Sequence, residues 1–192
     1  CGVSLSGDGL TLAMGGYGSS NNGPNSGQVK VYWYNIYHNS WIQRGQKIDG
    51  EAAYDESGYS VSLSNDGLTL AIGAYGNDGN GENSGHVRVF KLTNYNWKQI
   101  GQDIDGEAAG DESEWVSLSG DGLTVAIGAR SNDGNGENSG HVRVFKFNDG
   151  KWVQIGHDID GKSPGDKIGY VSLSKDAQIL AKISIKELDL NG

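Results

Sequence analysis

The chain has one cysteine, Cys1, among its 192 residues. No disulfide can form within it, so cysteine pairing tells nothing about the redox compartment. It has only two prolines. No three-residue glycine period accompanies them, which excludes a collagen-like helix. No apolar run reaches membrane-spanning length, and no signal peptide opens the chain. Basic residues are also short: 15 Lys and Arg stand against 24 Asp and Glu, a formal charge of −9. Such a balance argues against a nucleic-acid groove, which needs a basic face to replace counterions. Nowhere is there a sustained 3.6-residue apolar stripe, so amphipathic helices are not expected. The chain begins in mid-pattern and without Met, which makes a piece of a longer protein the expectation.

Glycine is what the chain has in excess, with 32 residues against a usual share of roughly 7%. Its role becomes plain once the Val-Ser-Leu-Ser tetrads are aligned. They start at Val3, Val61, Val116 and Val171, at intervals of 58, 55 and 55 residues. A period of this length with period-2 alternation and dense turn signals predicts an array of β units.

Each unit holds four predicted strands. In the second copy they are Val61–Ser64, Leu68–Ala74, Gly85 to about Leu92, and Trp97–Ile104. The small serines of the first strand suit a crowded axis. In the second strand Leu68, Leu70 and Ile72 make one bulky face, and Thr69, Ala71 and Gly73 one nearly flat face. Sheets stack when the bulky face of one meets the flat face of the next. Gly15, Gly73 and Gly128 close the second strands, Asn-Ser-Gly at 25, 83 and 138 precedes the third, and Trp41, Trp97 and Trp152 open the fourth. A large aromatic at one fixed place per unit reads as a packing wedge rather than a ligand platform. The expected fold is therefore all-β, a β-propeller-type array of four-stranded antiparallel blades with about three and a half blades present. The blades are expected at 3–48, 61–104 and 116–159, with a partial fourth at 169–185 and a divergent tail at 186–192. Closed propellers typically need at least four blades. Further repeats or another chain are thus expected to complete this one.

These residues resemble the FG-GAP repeat family, the repeat of integrin α-chain propellers. That family's unit opens with Phe-Gly-x-Ser-Val and closes its second strand with Gly-Ala-Pro. The counterparts here are Ser57-Gly58-Tyr59-Ser60-Val61 and Gly73-Ala74-Tyr75, and the later Gly-x-Val-x-Val-Phe strand recurs at Gly85–Phe90 and Gly140–Phe145. The match runs from Cys1 to about Leu180. Phe and Pro of the family name are both absent, as in a divergent branch. Integrin-like versions carry a calcium loop, Asp-x-Asn-x-Asp-Gly-x-x-Asp, at the first turn. Here that turn is cut to Ser64-Asn65-Asp66-Gly67, too few oxygens for calcium, so the family's site is not carried over.

Asp78, Asn80 and Glu82, repeated as Asp133, Asn135 and Glu137, imitate the opening of a calcium loop. The first copy has Ser20, Asn22 and Pro24 there, so the loop keeps its length without its acids. Connector carboxylates Asp49, Glu51, Asp55 and Glu56, and Asp103, Asp105, Glu107, Asp111 and Glu112, recur once per unit. An active site is normally single, which favours turn chemistry. His86 and His141 stand where the first copy has Gln28; cross-blade hydrogen bonding is expected, since no ligand partner lies at metal-binding spacing. Nothing near Cys1 suggests an activated thiol. The glycine-rich loops lack a phosphate cradle's Lys.

No catalytic, cofactor-binding or metal residue is therefore assigned, and no cofactor is expected, calcium being the one alternative. The expected function is a non-enzymatic binding or adhesion scaffold that takes a protein or glycan ligand on the loop face 17–26, 75–84 and 130–139. Alternatives are a calcium- or glycan-binding module, or an accessory domain of a secreted hydrolase. The resemblance implies an extracellular or cell-surface location.

Overall fold

A computed structural model describes residues 2–178 and 180–183. Cys1, the end of the expected partial blade at 184–185 and the whole expected tail, 186–192, lie outside these residues. All the regular structure is β. The first sheet contains β1 (Val3–Leu5), β2 (Thr11–Gly15), β3 (Gln28–Asn35), β4 (Ser40–Gln43) and β5 (Ile48–Asp49). The second contains β6 (Ser60–Leu63), β7 (Thr69–Ala74), β8 (His86–Thr93), β9 (Asn96–Gln99) and β10 (Ile104–Asp105). The third contains β11 (Ser113–Leu118), β12 (Thr124–Ala129), β13 (His141–Asn148), β14 (Lys151–Gln154) and β15 (Ile159–Asp160). A two-stranded sheet, β16 (Tyr170–Leu173) with β17 (Leu180–Ile183), begins a fourth. Within each blade the strands pair antiparallel.

The fourth strand departs from the expected run Trp97–Ile104. It is two short strands, β9 and β10, both paired with β8. The break between them has a local cause. Gly101 takes a positive φ of 72°, a conformation that costs glycine little, and Gln102 turns away to the next blade.

Stacking follows the bulky-on-flat pattern. Val61, Leu63, Leu70, Ile72, Phe90 and Trp97 of the second blade pack against Ala13, Val29, Val31 and Ile48 of the first. Their counterparts Val116, Leu118, Val125, Ile127, Phe145 and Trp152 pack against Ala71, Val87, Val89 and Ile104. Each fully buried Leu or Ile at such a seam contributes about 2 kcal/mol. Gly73 must be flat because a methyl there would overlap the Glu114 carbonyl oxygen.

Polar bonds fix the same seams. Ser4 Oγ accepts from Leu63 N, Ser62 Oγ from Leu118 N, and Ser117 Oγ from Leu173 N, each at 2.9 Å. The serines of the first strands thus tie one blade to the next along the axis. At the outer edge Gln46 forms a two-bond clasp on Trp97, accepting from its N–H at 2.9 Å and donating to its C=O at 2.7 Å. The Trp97 indole donates to Arg44 C=O at 2.8 Å. Gln102, Trp152 and Ile100 C=O repeat the arrangement.

The Asn-Ser-Gly marks also acquire a reason. Asn83 and Gly85 both take positive φ, 53° and 71°. The buried Ser84 hydroxyl accepts from Asn80 N at 3.2 Å and donates to Asn77 C=O at 3.3 Å, so it closes the loop on itself.

Candidate binding site

Aromatic residues stand near the start of three first strands: Tyr59 just before β6, Trp115 within β11, and Tyr170 opening β16. Tyr59, Trp115 and Tyr170 are half-buried and meet in sequence around the axis. Ring centroids are 5.9 Å apart for Tyr59 and Trp115, and 4.2 Å for Trp115 and Tyr170. Tyr17 and Tyr75, which open the long loops of the first two blades, join Tyr59 at 5.6 and 5.1 Å. The rings of Tyr59, Trp115 and Tyr170, with Val61, Val116 and Val171, line a cavity of about 520 Å³ where the first strands of neighbouring blades meet. Among the described residues, no Lys, Arg or His lines it.

The sequence held a signal for this cluster. Trp115 and Tyr170 directly precede Val116 and Val171. Tyr59 stands one place earlier because the second blade inserts Ser60, and that insertion hides the phase. Ser60 itself is used at the seam, where its Oγ accepts from Val116 N at 3.1 Å.

Beside the cluster, Glu114 is fully buried. Neither of its oxygens has a hydrogen-bond partner among the described residues, and Arg130 Nε stands 4.0 Å from Oε1. Burial in this apolar surrounding, partly offset by Arg130, pushes its carboxyl up to about 8. Arg130 itself is held by Glu112 at 3.2 Å. Tyr75 is pushed up to about 12, first by burial and then by its bond to Glu56.

The calcium-like loops use their polar atoms internally. Asp78 Oδ1 accepts from Asn83 N at 2.8 Å, and Asp133 Oδ1 from Asn138 N at 2.7 Å. Ser20 Oγ accepts from Asn25 N at 3.2 Å in the first copy. A hydroxyl thus performs the loop task of the two carboxylates. Asn22, Asn80 and Asn135 donate to connector carbonyls Gly50, Gly106 and Gly161. Glu82 and Glu137 are exposed.

The connectors divide by role. Asp55 and Asp111 are buried and accept backbone N–H groups of their own turns, from Ala52 at 2.8 Å and Ala108 at 3.0 Å. Glu56 and Glu112 take positive φ at the axial end of the molecule. Glu51 and Asp103 meet His86, and Glu107 and Asp158 meet His141. Sequence spacing did not show these trios, because Glu51 and Glu107 come from the connector of the preceding blade. His86 Nδ1 lies 3.9 Å from Glu51 and 4.0 Å from Asp103. The expected cross-blade contact exists, but these separations are too long for a hydrogen bond. Burial and the neighbouring Arg88 lower His86 to about 4, and His141 shifts the same way, first by burial and then by Arg143.

Blades stacked bulky face on flat face around an axial cavity define a β-propeller array. Residues 49–90 match the FG-GAP repeat family, a span that takes in the lead-in and the second blade as far as Phe90. No curated protein sequence matches the chain. Three solved structures show the same fold. One is a provisionally assigned 6-phosphogluconolactonase from Bacteroides uniformis ATCC 8492, with TM-score 0.61, 15% identity and coverage of 94% of this chain and 46% of that one. Another is the Kuenenia stuttgartiensis hydrazine synthase, with TM-score 0.56, 13% identity and coverage of 95% and 58%. The Dos1 propeller has TM-score 0.53, 12% identity and coverage of 94% and 40%. The chain thus spans about half the length of these propellers. Identities this low speak to the fold alone. No helix among the described residues is long and apolar enough to cross a membrane.

Proposed function

We propose that this chain is a non-enzymatic binding scaffold, an arc of FG-GAP-type blades that holds a protein or glycan ligand at its axial end and acts outside the cell or on its surface. One observation carries the reading: Tyr59, Trp115 and Tyr170 gather at one cavity. Half-buried aromatic rings with polar edges bind amphipathic surfaces at low entropic cost. The location rests on the resemblance to integrin-type propellers.

Some propellers of this shape carry enzyme names, so a phosphosugar lactone is the natural rival substrate. Among the described residues the cavity lining supplies no cation for its phosphate dianion, and recognition of phosphate relies on Arg, Lys or backbone nests. The unlike faces of the end blades also favour completion of the array by further repeats or a second chain.

The test is a cell-adhesion assay on the immobilised chain with a glycan array beside it. Attachment or glycan binding that falls at least ten-fold in Trp115→Ala and Tyr59→Ala supports the reading. Binding that both variants retain, or hydrolysis of 6-phosphogluconolactone, overturns it.

A further inference from the structure

The geometry points to two divalent-cation sites of the zinc type at successive blade seams, one held by Glu51, His86 and Asp103 and the other by Glu107, His141 and Asp158. In each trio one nitrogen and two carboxylate oxygens converge, with all three atoms within 4.8 Å of one another. His86 Nδ1 is 3.9 and 4.0 Å from its two carboxylates, and His141 Nδ1 is 3.6 Å from Glu107. A tetrahedral ion with bonds of about 2.1 Å holds its ligand atoms roughly 3.4 Å apart. The trios are therefore slightly open versions of a three-ligand site, with the exposed side left for water.

The second observation is the histidine itself. The side chains of His86 and His141 are only 2% and 1% exposed. His86 turns Nδ1 onto Glu51 and Asp103, and His141 turns Nδ1 onto Glu107, at separations too long for a hydrogen bond. Arg88 and Arg143 already offset part of the carboxylate charge from the far side, and an ion at the ring nitrogen would offset the rest.

The outer oxygens are already committed. Gln99 donates to Asp103 Oδ1 and Gln154 to Asp158 Oδ1, both at 2.6 Å. Arg88 Nη1 lies 3.2 Å from Glu51 Oε1, and Arg143 Nη1 lies 3.6 Å from Glu107 Oε1. Oδ2 of Asp103 and Oε2 of Glu51 are the atoms left facing His86. Groups that hold the second oxygen of a ligating carboxylate are the usual outer shell of a metal site. The arginine opposes the cation by charge, so two carboxylates rather than one are needed to bind it.

The chain's own copies change these residues together. In the first blade the histidine position is Gln28 and the aspartate position is Lys47, and Lys47 pairs with Asp49 at 3.0 Å. After the third blade the connector Glu becomes Lys162. The complete trio occurs at the two seams that join full blades. Nitrogen with carboxylate oxygens suits zinc, whereas calcium wants six or more oxygens.

Isothermal titration of the chelator-treated chain with zinc chloride tests the proposal. Two ions per chain are expected, falling to one in His86→Gln or His141→Gln and to none in the double variant, which carries the residue that Gln28 shows the fold tolerates. A rise in Tm with zinc should vanish in parallel. His38→Gln and His157→Gln, at exposed histidines, should leave two. If the double variant does not fold, Asp103→Lys with Asp158→Lys gives the same readout. No saturable zinc binding, two sites retained in the double variants, or equal binding of calcium chloride would overturn the proposal.

Discussion

Glu114 occupies the place that Gly58 holds in the second blade and Gly169 in the fourth; the carbonyls of all three lie over a second-strand glycine. Its carboxyl, raised to about 8 from an ordinary 4.5, keeps a proton in the folded chain that the unfolded chain releases. Protons are thus lost on unfolding throughout that window, so stability falls as pH rises from 4.5 to 8 and levels above it. The slope is at most about 1.4 kcal/mol per pH unit. Glu114→Gln keeps the shape and removes the charge. Its urea midpoint should match the parent near pH 4.5 and exceed it at pH 8.5, by an amount worth a few kcal/mol; a gap that does not change with pH contradicts the assignment. His86, lowered to about 4, works in the opposite sense below pH 6.5. It is present in both proteins and cancels in the comparison.

At the scale of the element, the fourth strand shows where a sequence stops being legible. The strands that alternate, such as Leu70, Ile72 and their flat partners Ala71 and Gly73, read correctly because the side-chain period carries the information. The break after Gln99 did not: Gly101 permits it locally, but the partner that Gln102 turns to, Trp152, lies in the next blade. The histidine trios were hidden for the same reason, since each takes its Glu from another blade. Comparison of the chain's copies, with Gln28 and Lys47 changing together, was the available signal. Gln102→Ala removes both clasp bonds and should cost about 1–3 kcal/mol, read from the urea midpoint. His157→Ala, at the corresponding exposed position after the third blade, should change it by no more than about 0.5 kcal/mol. Equal effects would mean that the clasp does not hold the seam.

Across the whole molecule, the repeated marks are seam contacts, and the first blade shows this by lacking a neighbour on its bulky side. Val3 is 63% exposed where Val61 is 7%, and Trp41 is 44% exposed where Trp97 and Trp152 are each 3%. Leu5 and Met14 are uncovered beside them, while Leu63 and Ile72 are buried. The same residue types in the same unit are therefore core in one blade and surface in another, according to whether a blade precedes them. Position-specific ligand contacts would not produce that pattern; in the proposed function they belong to the axial rings. Hydroxyl-radical footprinting of the monomeric chain, read by mass spectrometry at the three repeat tryptophans, tests this most directly. Trp41 should be modified many times faster than Trp97 and Trp152, with Gln102→Ala raising the rate at Trp152 alone; equal rates at all three would contradict the account.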